Sequence, residues 1–169
     1  MLLTSFNARE RVPKSHGRIA LRGKLDSLNA QIIFFQASSS NKSFIQDLEE
    51  IRKIITLIQK SEAREEIFPG NLFLWGLNEE EIHKRSHSPE KFYGLGHVLP
   101  CFEMGQEAAA INLLRTQVRE AELCACRAFN DEDPFKIIHV LNRLSSALYI
   151  LIYKYLPKGF NKTFKLGRS

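Results

Sequence analysis

Apolar side chains recur along this chain at alternating steps of three and four. Leu21, Leu25, Leu28, Ile32 and Phe35 form one such run, which predicts an amphipathic helix ending in the Ser38-Ser39-Ser40-Asn41 loop. Phe44, Leu48, Ile51, Ile55 and Ile58 repeat the pattern in a second helix, with Ser43 as N-cap and Gln46 at the capping-box position. Pro69-Gly70 breaks the chain. A short third helix is expected from about Leu77 to Arg85, led by Asn78 and three glutamates that suit a helix N-terminus. A loop marked by Gly and Pro follows, from Ser86 to about Phe102. A fourth helix is read from about Glu103 to Phe129. Asn130-Asp131-Glu132-Asp133-Pro134 is read as a turn and helix start with Pro at the first helical position. Ile137, Leu141, Leu144, Leu148, Leu151 and Tyr155 define the fifth helix, stopped by Pro157-Lys158-Gly159. No segment shows sustained strand alternation. Short connections between apolar seams predict an all-α five-helix bundle with antiparallel neighbours.

The polar positions on the fourth helix hold the most informative chemistry. Arg115, Arg119 and Glu122 step by four and three, which places them on one stripe. The apolar seam of Ile111, Leu114, Val118, Ala121 and Ala125 lies about 100° away. A core face beside an ordered Arg/Arg/Glu face is a candidate anion site. Read alone, the same stripe is also consistent with a solvated face of intrahelical ion pairs.

Composition narrows the picture a little. A chain of 169 residues with 44% hydrophobic and 25% charged residues is expected to form one globular domain, residues 1–157, followed by a basic flexible tail, 158–169. The net charge of +5 favours anionic partners. No secretory signal is visible in MLLTSFNARER, and the apolar run from Ala147 to Tyr153 is far short of the roughly 20 residues of a membrane span. No membrane and no nucleic-acid partner are expected. The expected location is cytoplasmic, or an organellar matrix. Cys101, Cys124 and Cys126 are odd in number and irregular in spacing, which argues against a disulfide framework. His83 and His87 are spaced as a metal pair but lack a third ligand, so no metal site is assigned.

Three blocks, in order, resemble the ATP:cob(I)alamin adenosyltransferases of the propanediol-utilisation type. RVPKSHGRIALRGKLDSLNAQI, residues 11–32, is similar to the family's Lys-x-x-x-Arg approach followed by Asp-Glu-Leu-Asn. HVLP (97–100) with AAAINLLRTQVREAE (108–122) resembles an aromatic-x-Leu-Pro loop and then Arg-Thr-x-x-Arg-Arg-x-Glu. VLNRLSSALYIL, residues 140–151, is similar to Leu-Asn-Arg-Leu-Ser-Asp-x-Leu-Phe. The resemblance implies a five-helix bundle that trimerises, with sites at subunit interfaces. It also implies transfer of the 5′-deoxyadenosyl group from ATP, taken with Mg²⁺, to a cob(I)alamin or other corrinoid substrate, releasing triphosphate. It places Arg115, Arg119 and Asp26 in the catalytic set, Asp26 pairing with Arg115 across the interface. It assigns Lys14, Arg18, Arg119, Glu122 and Asn142 to ATP. His97 stands where the family has a Phe beside the corrin, and so is expected to face the corrinoid, where an imidazole could ligate cobalt; a locally hydrogen-bonded loop histidine is the plainer alternative.

The sequence departs from the family pattern at several of these places. No glycine precedes Gly17, where the family has a Gly-rich phosphate segment. Glu120 replaces the second consecutive Arg, Lys24 a Thr, Arg22 an aromatic, Ser27 a Glu and Ser146 an Asp. Two further readings therefore stand beside the enzyme: a divergent, non-catalytic relative that binds corrinoid or nucleotide, and, more distantly, a basic helical nucleic-acid binder.

Overall fold

The computed structural model describes residues 2–6 and 10–164. Its long elements are α1 (Gly17–Ser38), α2 (Lys42–Arg64), α5 (Gln106–Phe129) and α6 (Ile137–Tyr155), with shorter α3 (Glu79–His87) and α4 (Pro89–Tyr93) between them. Two antiparallel hairpins complete it: β1 (Leu3–Ser5) with β2 (Arg11–Pro13), and β3 (Phe73–Leu74) with β4 (Leu77–Asn78). The predicted apolar seams are the core. Leu21, Leu25, Leu28 and Ile32 of α1 are fully buried, as are Leu114 and Val118 of α5 and Leu141, Leu144 and Leu148 of α6. α5 lies at the centre, packed against α1 on one side and α6 on the other, while α2 braces α1 and α3 covers α6. Each fully buried Leu or Ile contributes about 1.5–3 kcal/mol relative to exposure. Close approach of α1 and α5 depends on Gly17, where a Cβ would meet the Ala128 Cα at 3.0 Å.

The bundle thus has six helices among the described residues, not five. The extra one, α4, is a single turn with Pro89 at its first position, ended by Gly94 at φ 68°. Such a short turn carries no apolar period to reveal it. The hairpins are equally invisible to alternation because their strands are two or three residues long.

Helix ends account for the other differences. α2 is capped by Asn41, whose side chain accepts from the amides of Ser43 and Phe44, rather than by Ser43. The expected fourth helix is broken by Gly105 at φ 81° into a 3₁₀ turn, Phe102–Met104, and α5. α6 begins at Ile137, so Pro134 lies before it rather than at its first position. Asp133 still serves the helix start, because its carboxylate accepts from the amides of Ile138 and His139. The Asn78–Glu81 capping box of α3 matches the reading from sequence.

The segment after α6 is not loose over its described part. Leu99 donates its amide to Lys162, Phe164 donates to His97, and Val98 pairs with Thr163. Backbone pairing with 97–99 holds residues 162–164 in place despite their polar composition. The expectation of flexibility for 165–169 lies outside the described residues.

Candidate active site

α5 and α6 run side by side and open a cavity of about 400 Å³ between their polar edges. Arg115, Arg119 and Glu122 project into it from α5; Asn142, Ser145, Ser146 and Tyr149 project from α6, and Ser86 from α3. The periodicity that buries Leu114 and Val118 turns Arg115 and Arg119 to the rim. The periodicity that buries Leu141, Leu144 and Leu148 does the same for Asn142 and Tyr149.

Charge in this cavity is unbalanced. Among the described residues, neither Arg115 nor Arg119 has a carboxylate within ion-pairing distance, although other arginines of the bundle are paired. The Arg115 guanidinium lies over the Tyr149 ring, 5.5 Å from its centroid. Partial burial pushes its pKa below the usual arginine value, and the adjacent Arg119 adds to the effect. The group stays cationic, since arginine does not lose its proton in proteins. Two unpaired guanidiniums against a partly apolar wall form a site for an anion. Glu122 does not neutralise them. Its Oε1 accepts from Asn142 Nδ2 at 3.0 Å, which fixes both side chains at the cavity edge. Ser146, standing where an acid is expected, leaves the cavity one negative charge poorer; its hydroxyl donates to the Asn142 carbonyl at 3.5 Å.

The other residues implicated by sequence lie elsewhere in the chain. Asp26 is exposed on α1 and accepts from Gln59 Nε2 at 2.7 Å, so it does not meet Arg115 of its own chain. Lys14 is exposed just before α1, its amide bonded to Leu2. Arg18, expected at the nucleotide, is instead committed to α2. It bonds Glu62 Oε1 at 2.6 Å, Glu65 at 2.5 Å and the Glu62 carbonyl at 2.7 Å, with Phe6 packed on its plane at 4.5 Å. Arg22 reaches the same Glu62 at 2.5 Å and the Phe6 carbonyl at 2.6 Å. These two arginines therefore hold the first hairpin and α2 against α1.

Two of the departures from the family pattern answer each other. Lys24 on α1 forms an ion pair with Glu120 on α5 and a 2.6 Å hydrogen bond to Gln117. Glu120 points toward α1, away from the cavity that Arg115 and Arg119 line, so its charge reversal does not enter the anion site.

His97 faces a second, larger cavity of about 660 Å³, bounded by His87, Pro89, Lys91, Thr163 and Phe164. Its Nδ1 meets Tyr149 Oη at 2.8 Å. Sequence reasoning missed Tyr149, which lines the first cavity and joins two candidate residues: Arg115 lies on its ring and His97 meets its hydroxyl. Its only signal is a polar-tipped aromatic on the Asn142 stripe, one turn beyond Ser145 and two turns beyond Asn142. The His83 and His87 rings lie 4.1 Å apart, tilted by 43°, and Arg143 donates to His83 at 2.6 Å. Among the described residues no cluster of three metal-ligating side chains occurs, and no helix is long and apolar enough to cross a membrane.

Comparison with known proteins agrees with this arrangement. The profile of the family described as cobalamin adenosyltransferase matches residues 3–155. The corrinoid adenosyltransferases EutT of Salmonella typhimurium and Escherichia coli are 34% identical over 155 residues, 89% of this chain. The chain spans 57% of the length of these relatives. Among solved structures, a phenylalanine-to-histidine variant of the PduO-type ATP:corrinoid adenosyltransferase from Lactobacillus reuteri, complexed with cobalamin and ATP, superposes with a TM-score of 0.66. It is 19% identical, and the match covers 92% of this chain and 91% of that one. An arginine-to-lysine variant of the same enzyme, complexed with ATP, gives 0.67 at 17% identity, covering 96% of this chain and 94% of that one. These likenesses show a shared fold. Family profile, relatives and the ordered Arg115–Arg119–Asn142 constellation converge, and the chain belongs to the cobalamin adenosyltransferase family.

Proposed function

We propose that this protein transfers the 5′-deoxyadenosyl group of ATP to a reduced corrinoid and releases triphosphate. The observation that carries the reading is the pair of arginines, Arg115 and Arg119, that face a cavity with no carboxylate partner. A leaving polyphosphate develops negative charge as the C5′–O bond breaks. Its electron pair departs with triphosphate, while the two electrons of cobalt(I) form the Co–C5′ bond. Preorganised guanidiniums gain most from such developing charge in a partly desolvated site. Arg119 holds the polyphosphate and Arg115, pinned by Tyr149, polarises the bond that breaks. Among the described residues Glu122 is the one carboxylate lining the cavity, and it would help hold a Mg²⁺ ion, which would supply further positive charge to the polyphosphate. Asn142 orients that carboxylate. Lys14 lies away from this cavity in its own chain, and a neighbouring copy would bring it to the same anion.

The homotrimer belongs to this proposal. Among the described residues Asp26 pairs with no cation of its own chain, and Arg115 lacks an acid. A neighbouring copy would let the two meet. Exposed Ile33 and Phe34 on α1, and Leu113 on α5, offer apolar area for such a contact. His97 would then face the corrinoid from its own cavity. The Lys24–Glu120 pair weighs against a non-catalytic relative, because it keeps the reversed charge away from the anion site.

An anaerobic assay with ATP and chemically reduced cobalamin tests the reading. Wild type should form the Co–C bond, seen in the visible spectrum, and Arg119→Ala should lose at least about 100-fold in kcat/KM, the scale of one transition-state charge contact. Equal inactivity of both proteins, with both folded, would reject it.

A further inference from the structure

α3 and α6 pack together, and their side chains meet at a constant offset of 60 residues: Glu79 with His139, and His83 with Arg143. Three residues further along, the same offset brings Ser86 of α3 opposite Ser146 of α6, and both line the anion cavity. The Arg143–His83 pair thus lies about 4.5 Å before the cavity wall, at a helical rise of about 1.5 Å per residue. That span is shorter than an extended arginine side chain.

The Arg143 guanidinium donates to His83 Nδ1 at 2.6 Å. Arginine only donates, so Nδ1 accepts, and His83 is neutral with its proton on Nε2. Desolvation, with His87 and Arg143 nearby, holds the His83 pKa below the usual imidazole value and favours this neutral form. Among the described residues Arg143 has no carboxylate within ion-pairing distance. Glu79, one turn before His83, is committed to His139 and the Leu72 amide. Ser146 explains why α6 itself offers no acid. An aspartate there, three residues on from Arg143, would have the spacing of a helical ion pair; the serine instead donates to the Asn142 carbonyl. Arg143 is therefore a weakly held cation. A phosphate group offers it opposite charge and two oxygens that match the planar fork, neither of which one neutral imidazole nitrogen supplies.

We propose that Arg143 is a third polyphosphate-binding arginine: neutral His83 holds it at the cavity wall, and it transfers to the outer phosphates of the nucleotide as these enter beside Arg115 and Arg119. Ser146, where the family pattern has an acid, is the change that leaves Arg143 available. The proposal rests on the ATP reading above.

Two measurements test it. The first is calorimetric titration with ATP, AMP and inorganic triphosphate. Arg143→Gln should weaken ATP and triphosphate by at least about 10-fold, the scale of one charged hydrogen bond. AMP lacks the outer phosphates and should change by less than about 2-fold on the same substitution. His83→Ala removes the competing acceptor, so it should bind triphosphate as tightly as wild type or more tightly. Equal weakening in both variants would mark the pair as a clasp between α3 and α6 and overturn the proposal. So would an unchanged triphosphate affinity in Arg143→Gln while Arg119→Ala loses it. The second is long-range ¹H–¹⁵N NMR of the histidine side chains at about pH 8.5, above the usual imidazole pKa of about 6.5. The His83 Nδ1 resonance should move when triphosphate draws Arg143 away, and should stay in place with AMP. Ser146→Asp should move it toward the same position with no ligand added. A His83 resonance that stays fixed while triphosphate binds would overturn the proposal, and this reading carries the test should Arg143→Gln not fold. Failure of wild type to bind either ATP or triphosphate overturns the proposed function, and this proposal with it.

Discussion

Replacing Glu62 with Gln should destabilise the bundle far more than any neighbouring charge change. The Glu62 side chain is 1% exposed and accepts from two arginines, Arg18 and Arg22, themselves only 12% and 28% exposed. Removing one partner of a buried ion pair costs about 3–5 kcal/mol, because the remaining charge is left uncompensated in a poorly solvated place. Here both arginines keep secondary acceptors: Glu65 and the Glu62 carbonyl for Arg18, and the Phe6 carbonyl for Arg22. The lower end, about 3 kcal/mol, is therefore expected. For a domain of this size that corresponds to a fall in Tm of roughly 6–12 °C. Glu65→Gln is the control. Glu65 is 56% exposed, so its pair with Arg18 should contribute less than about 1 kcal/mol. Urea denaturation at 25 °C and thermal scanning of both variants give the comparison. A loss below about 1 kcal/mol for Glu62→Gln would refute the reasoning, and with it the assignment of Arg18 to holding α1 against α2. If Arg18 instead served ATP, Arg18→Ala would weaken nucleotide binding while leaving Tm unchanged.

Three other outcomes follow from the same geometry. Arg115→Lys should lower kcat/KM by about 10-fold or more in the adenosyl-transfer assay while Tm moves little, because an ammonium cannot both stack on Tyr149 and present a planar fork. Exchanging the Lys24–Glu120 pair as Lys24→Glu with Glu120→Lys should restore most of the stability that each single change removes, seen in urea denaturation; in a double-mutant cycle the expected coupling is up to about 1 kcal/mol. Glu49 is held at a pKa of about 2, below its ordinary 4.5, by hydrogen bonds from Arg52 and Gln36. A depressed carboxylate stabilises the fold above its unfolded pKa and loses that contribution as pH falls through the folded one. Acid titration of Glu49→Gln should therefore show a shallower loss of stability than wild type between about pH 4.5 and 2.

The long helices were legible in the sequence because each has an apolar seam of four or more turns, and burial follows those seams residue by residue. Short elements were not. A two-residue strand or a one-turn helix leaves no period, and the Asn41 and Asp133 caps compete with equally plausible polar neighbours. The anion site was half legible. Arg115, Arg119, Glu122 and Asn142 share stripes on two helices that pack together, so spacing on each helix predicts the cluster. The Arg18–Glu62 contact was not legible, because nothing local to Arg18 announces a partner 44 residues away. Tyr149 was missed because an aromatic on a helix reads as core; only the packing shows it joining Arg115 to His97. Lys24 and Glu120 looked like two independent losses and proved to be one ion pair.

The central claim is that the Arg115–Arg119 cavity directs ATP to alkylate cobalt rather than to hydrolyse. ³¹P NMR of a single anaerobic turnover with ATP and cob(I)alamin tests it most directly. The account predicts one triphosphate released for each Co–C bond formed. Release of ADP and phosphate, or no change in ATP while folded protein and reduced cobalamin are both present, would contradict it.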